Sequence, residues 1–208
     1  VLDRSIFYPR GGGQPGDTGR VSWIAEETTA QTGGGDSLTI ADTVKGADGQ
    51  IVLIPGEGAG LPEVGTEVTQ TLNWPRRFSH MRIHTALHLL SVVIPLPVTG
   101  GAISQGKGRL DFDMPEAPED KAAVEEALNA LIARDLPVTE DWITDEELAA
   151  QPELVKTMSV KPPSGQGRVR LVRIGEDETQ VDLQPCGGTH VARTGEIGTV
   201  RLGKIEKK

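Results

Sequence analysis

Two short stretches nearly a hundred residues apart constrain this chain more than any other feature: His84-Thr85-Ala86-Leu87-His88 and Cys186-Gly187-Gly188-Thr189-His190. Residues four apart on an α-helix stand on the same face, so His84 and His88 can aim their imidazoles at one ion. Cys186 and His190 add a soft sulfur and a further ring nitrogen, the donor types that zinc takes, and Gly187-Gly188 lets the backbone fold tightly between them. The chain has four histidines and one cysteine, and four of these five residues fall in the two pairs. Together they read as a zinc site, which obliges the fold to bring a helix near residue 84 against a loop near residue 190. Taken alone, a histidine pair on an amphipathic helix also fits two satisfied or exposed side chains. His80, one turn before His84, is expected to cap or to be exposed, with a supporting or alternative ligand as its other reading.

At 208 residues the chain is long enough to bury a core without covalent staples, as one large domain or two small ones. A single cysteine excludes an internal disulfide and fits a reducing compartment, so a cytoplasmic location is expected. No apolar run has the length of a membrane span or the pattern of a signal peptide. The first residue is Val1 rather than Met, and residues preceding it in the complete protein are expected. The net charge of −9 argues against a nucleic-acid partner when taken as a whole, but the acid is local. Residues 111–153 hold fourteen acidic side chains against two basic ones, which leaves the rest of the chain slightly basic. Arg76, Arg77, Arg82, Lys107, Arg109, Arg168, Arg170 and Arg173 lie outside that segment and are candidates for a basic face, or for ordinary solvated charge.

Residues 4–8 read as a strand. The following 9–19, with five glycines and two prolines, form a shaped loop whose backbone amides suit a phosphate or ribose but lack the Gly-Lys-Ser/Thr ending of a nucleotide P-loop. Short strands are expected at 19–24, 37–44, 50–53 and 67–72, separated by turn signals at 32–36 and 47–49, and this spacing predicts a small β-barrel. Asn73 is placed to cap a helix with Pro75 in its first turn, running to Val93 before Pro95 and Pro97. Residues 100–108 read as a glycine-rich approach to a strand at 109–113. An acidic helix follows at 119–134, with Val124, Leu128, Leu131 and Ile132 as its apolar stripe. A strand at 136–143, a short helix at 145–150 and strands at 169–174, 179–183 and 198–205 complete an α+β pattern, divided as 1–73 and 74–208.

Four motifs, in order, carry a resemblance across nearly the whole chain: residues 7–19, from Phe7-Tyr8-Pro9-Arg10 through Gly11-Gly12-Gly13 to Gly19; His84-Thr85-Ala86-Leu87-His88-Leu89-Leu90; Ile103-Ser104-Gln105 with Arg109-Leu110-Asp111-Phe112; and Cys186-Gly187-Gly188-Thr189-His190-Val191. The sequence resembles the alanyl-tRNA editing proteins called AlaX and the equivalent editing domain of alanyl-tRNA synthetase. The resemblance implies an N-terminal β-barrel carrying the glycine-rich motif, then a zinc-binding α+β editing domain shared with threonyl-tRNA synthetase. The acidic 111–153 segment matches no family role. The implied activity is hydrolysis of the ester joining a wrong amino acid, chiefly serine and also glycine, to the acceptor end of tRNA(Ala); no part of the synthetase's activation machinery is visible, so action in trans is expected, and a monomer is one of the oligomeric states left open. Sparing the alanine ester requires a polar sensor for one hydroxyl, because a steric filter cannot reject the smaller residue. Gln105 is the first candidate and Thr85 the second. Arg76, Arg77 and Arg82 are expected to bind tRNA, with the loop holding Gly11, Gly12 and Gly13 against the terminal adenosine. Four protein ligands describe a closed zinc site and three an open one, and both counts remain available.

Two other readings stand beside this one. A zinc hydrolase of small esters or amides fits the ligands, although Thr85-Ala86-Leu87 leaves no glutamate base between the histidines. Alternatively, zinc only pins the helix to the C-terminal loop of a tRNA-binding or interaction module that performs no chemistry.

Overall fold

A computed structural model of the chain describes residues 1–24, 37–58, 60–157 and 167–206. The turn signal expected at 32–36 lies outside these residues. The chain is mixed α+β, with three α-helices and several antiparallel sheets among the described residues. None of these helices is long and apolar enough to cross a membrane. Two compact units divide it, Val1–Phe78 and Ser79–Lys208.

The first unit holds β1 (Gly19–Ser22), β2 (Ser37–Lys45), β3 (Ile51–Pro55) and β4 (Thr69–Leu72), hydrogen-bonded in the order β3-β2-β1-β4. Alternation along β2 turns Leu38 and Ile40 inward, and a bulge between Ile40 and Asp42 shifts the phase so that Thr43 becomes the buried residue. Phe7 and Val21 join Leu38 and Ile40 in the core, with Trp23, Leu53, Val68 and Leu72 packed against them. The expected barrel is seen as an open four-stranded sheet: β3 and β4 are its edges, and no pairing closes them among the described residues. The expected strand at 4–8 does not form. Side chains take three successive backbone amides, Gln70 accepting from Ile6 at 3.1 Å, Ser5 from Phe7 at 3.2 Å and Asp17 from Tyr8 at 2.6 Å, in place of a ladder.

The long helix α1 (Trp74–Val93) begins where the sequence places it: Asn73 Oδ1 accepts from the Arg76 amide at 3.3 Å, and Pro75 occupies the first turn. Beyond it β5 (Val98–Ser104) and β6 (Lys107–Phe112) form a hairpin. The stretch expected to be a glycine-rich approach is therefore itself a strand. A Cβ on Gly101 would lie 3.1 Å from the Arg109 carbonyl, so the missing side chain lets the two strands pair closely. Next comes α2 (Lys121–Ala133), capped by Asp120, which accepts from the Ala123 amide at 2.9 Å, with Leu128 and Ile132 fully turned inward.

A three-stranded antiparallel sheet orders β7 (Val138–Thr144), β8 (Arg168–Ile174) and β9 (Asp182–Pro185), with α3 (Asp145–Ala149) capped by a reciprocal Thr144–Glu147 pair. The central β8 buries Val169, Leu171, Val172 and Ile174. The strand expected at 198–205 is absent among the described residues because α2 side chains serve its backbone. Asn129 bonds both the amide and the carbonyl of Val200, at 2.9 and 2.8 Å, and Glu125 accepts from the Leu202 amide at 2.7 Å.

Candidate metal centre

His84 and His88 project from α1 one turn apart, and the chain returns beside them after β9, where Cys186 and His190 stand four residues apart in a loop. The ligand atoms of these four side chains all lie within 4.8 Å of one another. Cys186 Sγ is 3.5 Å from His84 Nε2 and 3.3 Å from His190 Nε2. The His190 ring centroid is 4.3 Å from that of His84 and 4.5 Å from that of His88. His84 and His88 are buried and Cys186 and His190 are mostly buried, with what exposure there is on the loop side. One sulfur and three imidazole nitrogens this close together fit a borderline-soft divalent cation such as zinc.

The surroundings aim these groups. Thr85 Oγ1 donates to the Met81 carbonyl at 3.0 Å, which uses its only proton. It must therefore accept from His190 Nδ1, 3.1 Å away, and from the Val191 amide at 3.3 Å. That leaves the lone pair of His190 on Nε2, facing the cluster. Behind His88, Nδ1 lies 3.0 Å from Asp182 Oδ2. The loop itself is clamped by Arg170, whose Nη1 donates to the carbonyls of Cys186 at 3.0 Å and Gly188 at 2.8 Å, while its Nη2 reaches Glu140 at 2.7 Å.

Charge within the cluster follows from this packing. Burial resists ionisation of Cys186, but the His84 charge and hydrogen bonds from His190 and His84 outweigh it and hold the thiol well below its ordinary value. Burial alone would depress His88, yet the hydrogen bonds to Asp182 and Cys186 push it up to about 9. His190 goes the other way: burial, with the charges of His84 and His88, pushes it down to about 3. Burial also opposes the charge on Asp182, and His88, Lys156 and Gln184 together keep its carboxyl below the usual range. Cys186 and His190 are thus biased toward the thiolate and the neutral imidazole, the forms that bind a cation.

His80 departs from expectation: it is fully buried on α1 rather than exposed or capping, and it is not part of the four-residue group. Gln105 sits in the turn of the β5–β6 hairpin, exposed to solvent. That hairpin is fastened to α1, since the Gly106 amide donates to Ser79 Oγ at 2.9 Å and a Cβ on Gly108 would come within 2.6 Å of Ile83. Thr85 is fully buried. In the first unit, Gly12 and Gly13 take the left-handed conformation with φ of +56° and +79°. Gly11 and Gly13 line a cleft of about 500 Å³ with Arg10, Gln14, Asp42 and Arg76. Arg77 does not line this cleft. Its guanidinium holds the buried Asp17 carboxylate, with Nε 2.9 Å from both oxygens, and the Ile6 carbonyl at 3.0 Å. Arg82 Nε likewise donates to the Ile197 carbonyl at 2.8 Å.

Several candidate basic-face arginines meet the acidic 111–153 segment instead of standing free: Arg109 pairs with Asp111 at 3.0 Å, Arg170 with Glu140 at 2.7 Å and Arg173 with Asp141 at 3.0 Å. Sequence reasoning missed Asp182 and the clamping role of Arg170. Nothing in their spacing marks them, because the β8–β9 register and side-chain direction bring them to the loop.

Residues 169–208 match the threonyl and alanyl tRNA synthetase second additional domain family. The whole chain is 31% identical over 213 residues to the alanyl-tRNA editing protein AlaX-M of Methanosarcina acetivorans and covers 83% of that protein. It is 33% identical over 218 residues to AlaX-L of Pyrococcus horikoshii, covering 48% of it. An alanine–tRNA ligase of Pyrobaculum calidifontis is 33% identical over 217 residues, and there the chain spans only 22% of the length of the ligase.

Proposed function

Since the chain belongs to the AlaX family of alanyl-tRNA editing proteins, we propose that it is an aminoacyl-tRNA deacylase acting in trans on tRNA(Ala) charged with the wrong amino acid, chiefly serine and also glycine. The observation that carries this reading is the convergence of His84, His88, Cys186 and His190 within 4.8 Å in a chain similar to AlaX over its full length. These four residues would hold zinc, which when bound polarises an ester carbonyl or lowers the pKa of a water at neutral pH.

The remaining roles belong to the chain's own side chains. Thr85 orients His190, and Arg170 keeps Cys186 and Gly188 in place. Gln105 is the sensor that hydrogen-bonds the serine hydroxyl: its amide both donates and accepts, and its exposed turn leaves those groups available to substrate. Thr85, the second candidate, is fully buried with its proton given to Met81 and its oxygen accepting from His190 and Val191, so its part is to orient His190. The cleft of Gly11, Gly13 and Arg76 takes the terminal nucleotide, with Gly12 shaping its turn; residues 1–73 are the glycine-rich domain and 74–208 the zinc-binding editing domain. Arg77 and Arg82 support tRNA binding indirectly, by holding Asp17 and Ile197.

Incubation of the purified chain with seryl-, glycyl- and alanyl-tRNA(Ala) tests the reading. Release of serine well above the uncatalysed rate, with alanine spared, is expected. Binding of tRNA without release of any amino acid would favour the non-catalytic module.

A further inference from the structure

A buried carboxylate stands behind one of the candidate ligands. Asp182 opens β9, its backbone fixed in register opposite Ile174 of β8, and its side chain is fully buried. A carboxylate removed from water is tolerated only when its oxygens are met by donors. Here Gln184 Nε2 donates to Oδ2 at 2.8 Å, Lys156 Nζ pairs with Oδ1, and His88 Nδ1 lies 3.0 Å from Oδ2. An ionised carboxylate only accepts hydrogen bonds, so the proton in the last contact belongs to His88 Nδ1. The ring is then held in the tautomer whose free lone pair is on Nε2.

The two loop-facing imidazoles are therefore backed unequally. His190 Nδ1 faces the neutral hydroxyl of Thr85, while His88 Nδ1 faces an anion. Hydrogen bonding to a carboxylate makes an imidazole a stronger donor to a metal, and such outer partners typically contribute about 10–100-fold to metal affinity. Resting on the metal reading above, we infer that Asp182 is a positioning residue: it sets the ring orientation and tautomer of His88 and makes His88 a stronger imidazole ligand than His190. Lys156 and Gln184 hold the carboxylate in place for that task. Neither the two motifs nor their spacing includes any of these three residues.

The test compares zinc affinity of the full chain, by competition with a chromophoric chelator, for wild type, D182A, D182N, K156M and T85V. Expected are a weakening of about 10–100-fold in D182A, a smaller loss in D182N, whose amide oxygen still accepts from Nδ1–H, and a smaller loss in T85V than in D182A. Nitrogen-15 NMR should report the Nδ1–H tautomer of His88 in wild type and D182N and its loss in D182A. A folded D182A that binds zinc as tightly as wild type would overturn the inference. If D182A fails to fold, wild-type affinity in D182N decides against it equally. A wild-type chain that takes up no zinc would overturn the metal reading and this inference together, whereas a zinc-binding wild type indistinguishable from D182A overturns this inference alone.

Discussion

Arg170 and Cys186 are joined by a side chain that never touches the sulfur: the guanidinium donates to the Cys186 carbonyl at 3.0 Å and, two residues on, to the Gly188 carbonyl at 2.8 Å. The planar fork of arginine serves both carbonyls and Glu140 at once, which the single ammonium of lysine cannot do. Arg170→Lys is therefore expected to loosen the loop and weaken zinc retention roughly tenfold, measured by chelator competition. Affinity equal to wild type would show that the loop holds its shape unaided.

The same arginine gives a pH dependence. Its hydrogen bond holds the Glu140 carboxyl below the ordinary value of 4.5, against a smaller opposing effect of burial. A depressed folded-state pKa means that the pair stabilises the fold above the ordinary value, and that this contribution is lost as pH falls through the lower folded value. Denaturant unfolding should find wild type more stable than Glu140→Gln at neutral pH, with the gap closing as the pH is lowered below the ordinary value of 4.5. A gap that widens at low pH would contradict the pairing.

Much of this architecture is legible in the sequence, and the failures share one cause. Asn73, Pro75 and the i, i+4 histidines announce α1 and its ligand face, because capping and helical spacing are local. The expected strands at 4–8 and 198–205 fail where side chains distant in sequence, Gln70 and Asp17 in one case and Asn129 and Glu125 in the other, take the hydrogen bonds a ladder would have used. β5 escapes notice because Gly100 and Gly101 weaken its pattern, although β6 pairs with it from Gly100 to Ser104. Asp182 is invisible for the same reason as the failed strands: its partner His88 lies 94 residues away.

Arg76 and Arg77 are adjacent but should behave differently. Arg77→Ala leaves the buried Asp17 carboxylate without its cation and is expected to destabilise the first unit by about 3 kcal/mol, seen in denaturant unfolding. Arg76 lines the cleft of the glycine loop, so Arg76→Ala should lower tRNA affinity and flatten its salt dependence with little change in stability. Unaltered affinity and salt slope would remove Arg76 from the tRNA surface.

Gln105 is exposed in its turn, so Gln105→Ala should leave zinc content and stability intact. Hydrolysis of the serine ester is expected to fall by at least about tenfold, while the slow alanine rate changes little. An unchanged serine-to-alanine ratio and unchanged rates would place the hydroxyl sensor elsewhere.

The central claim, that four side chains from α1 and the 186–190 loop hold a zinc ion on which ester hydrolysis depends, is tested most directly by one measurement. Deacylation of seryl-tRNA(Ala) is followed in the native chain, after zinc is stripped by a chelator, and after zinc is restored, with circular dichroism recorded at each stage. The account predicts that stripping abolishes turnover while the sheet cores of Val21 and Ile40 and of Val169 and Leu171 remain folded, and that restored zinc returns the rate. His88→Ala and Cys186→Ala should neither bind zinc nor respond to it. Full activity in the stripped chain, or in either variant, would contradict the account.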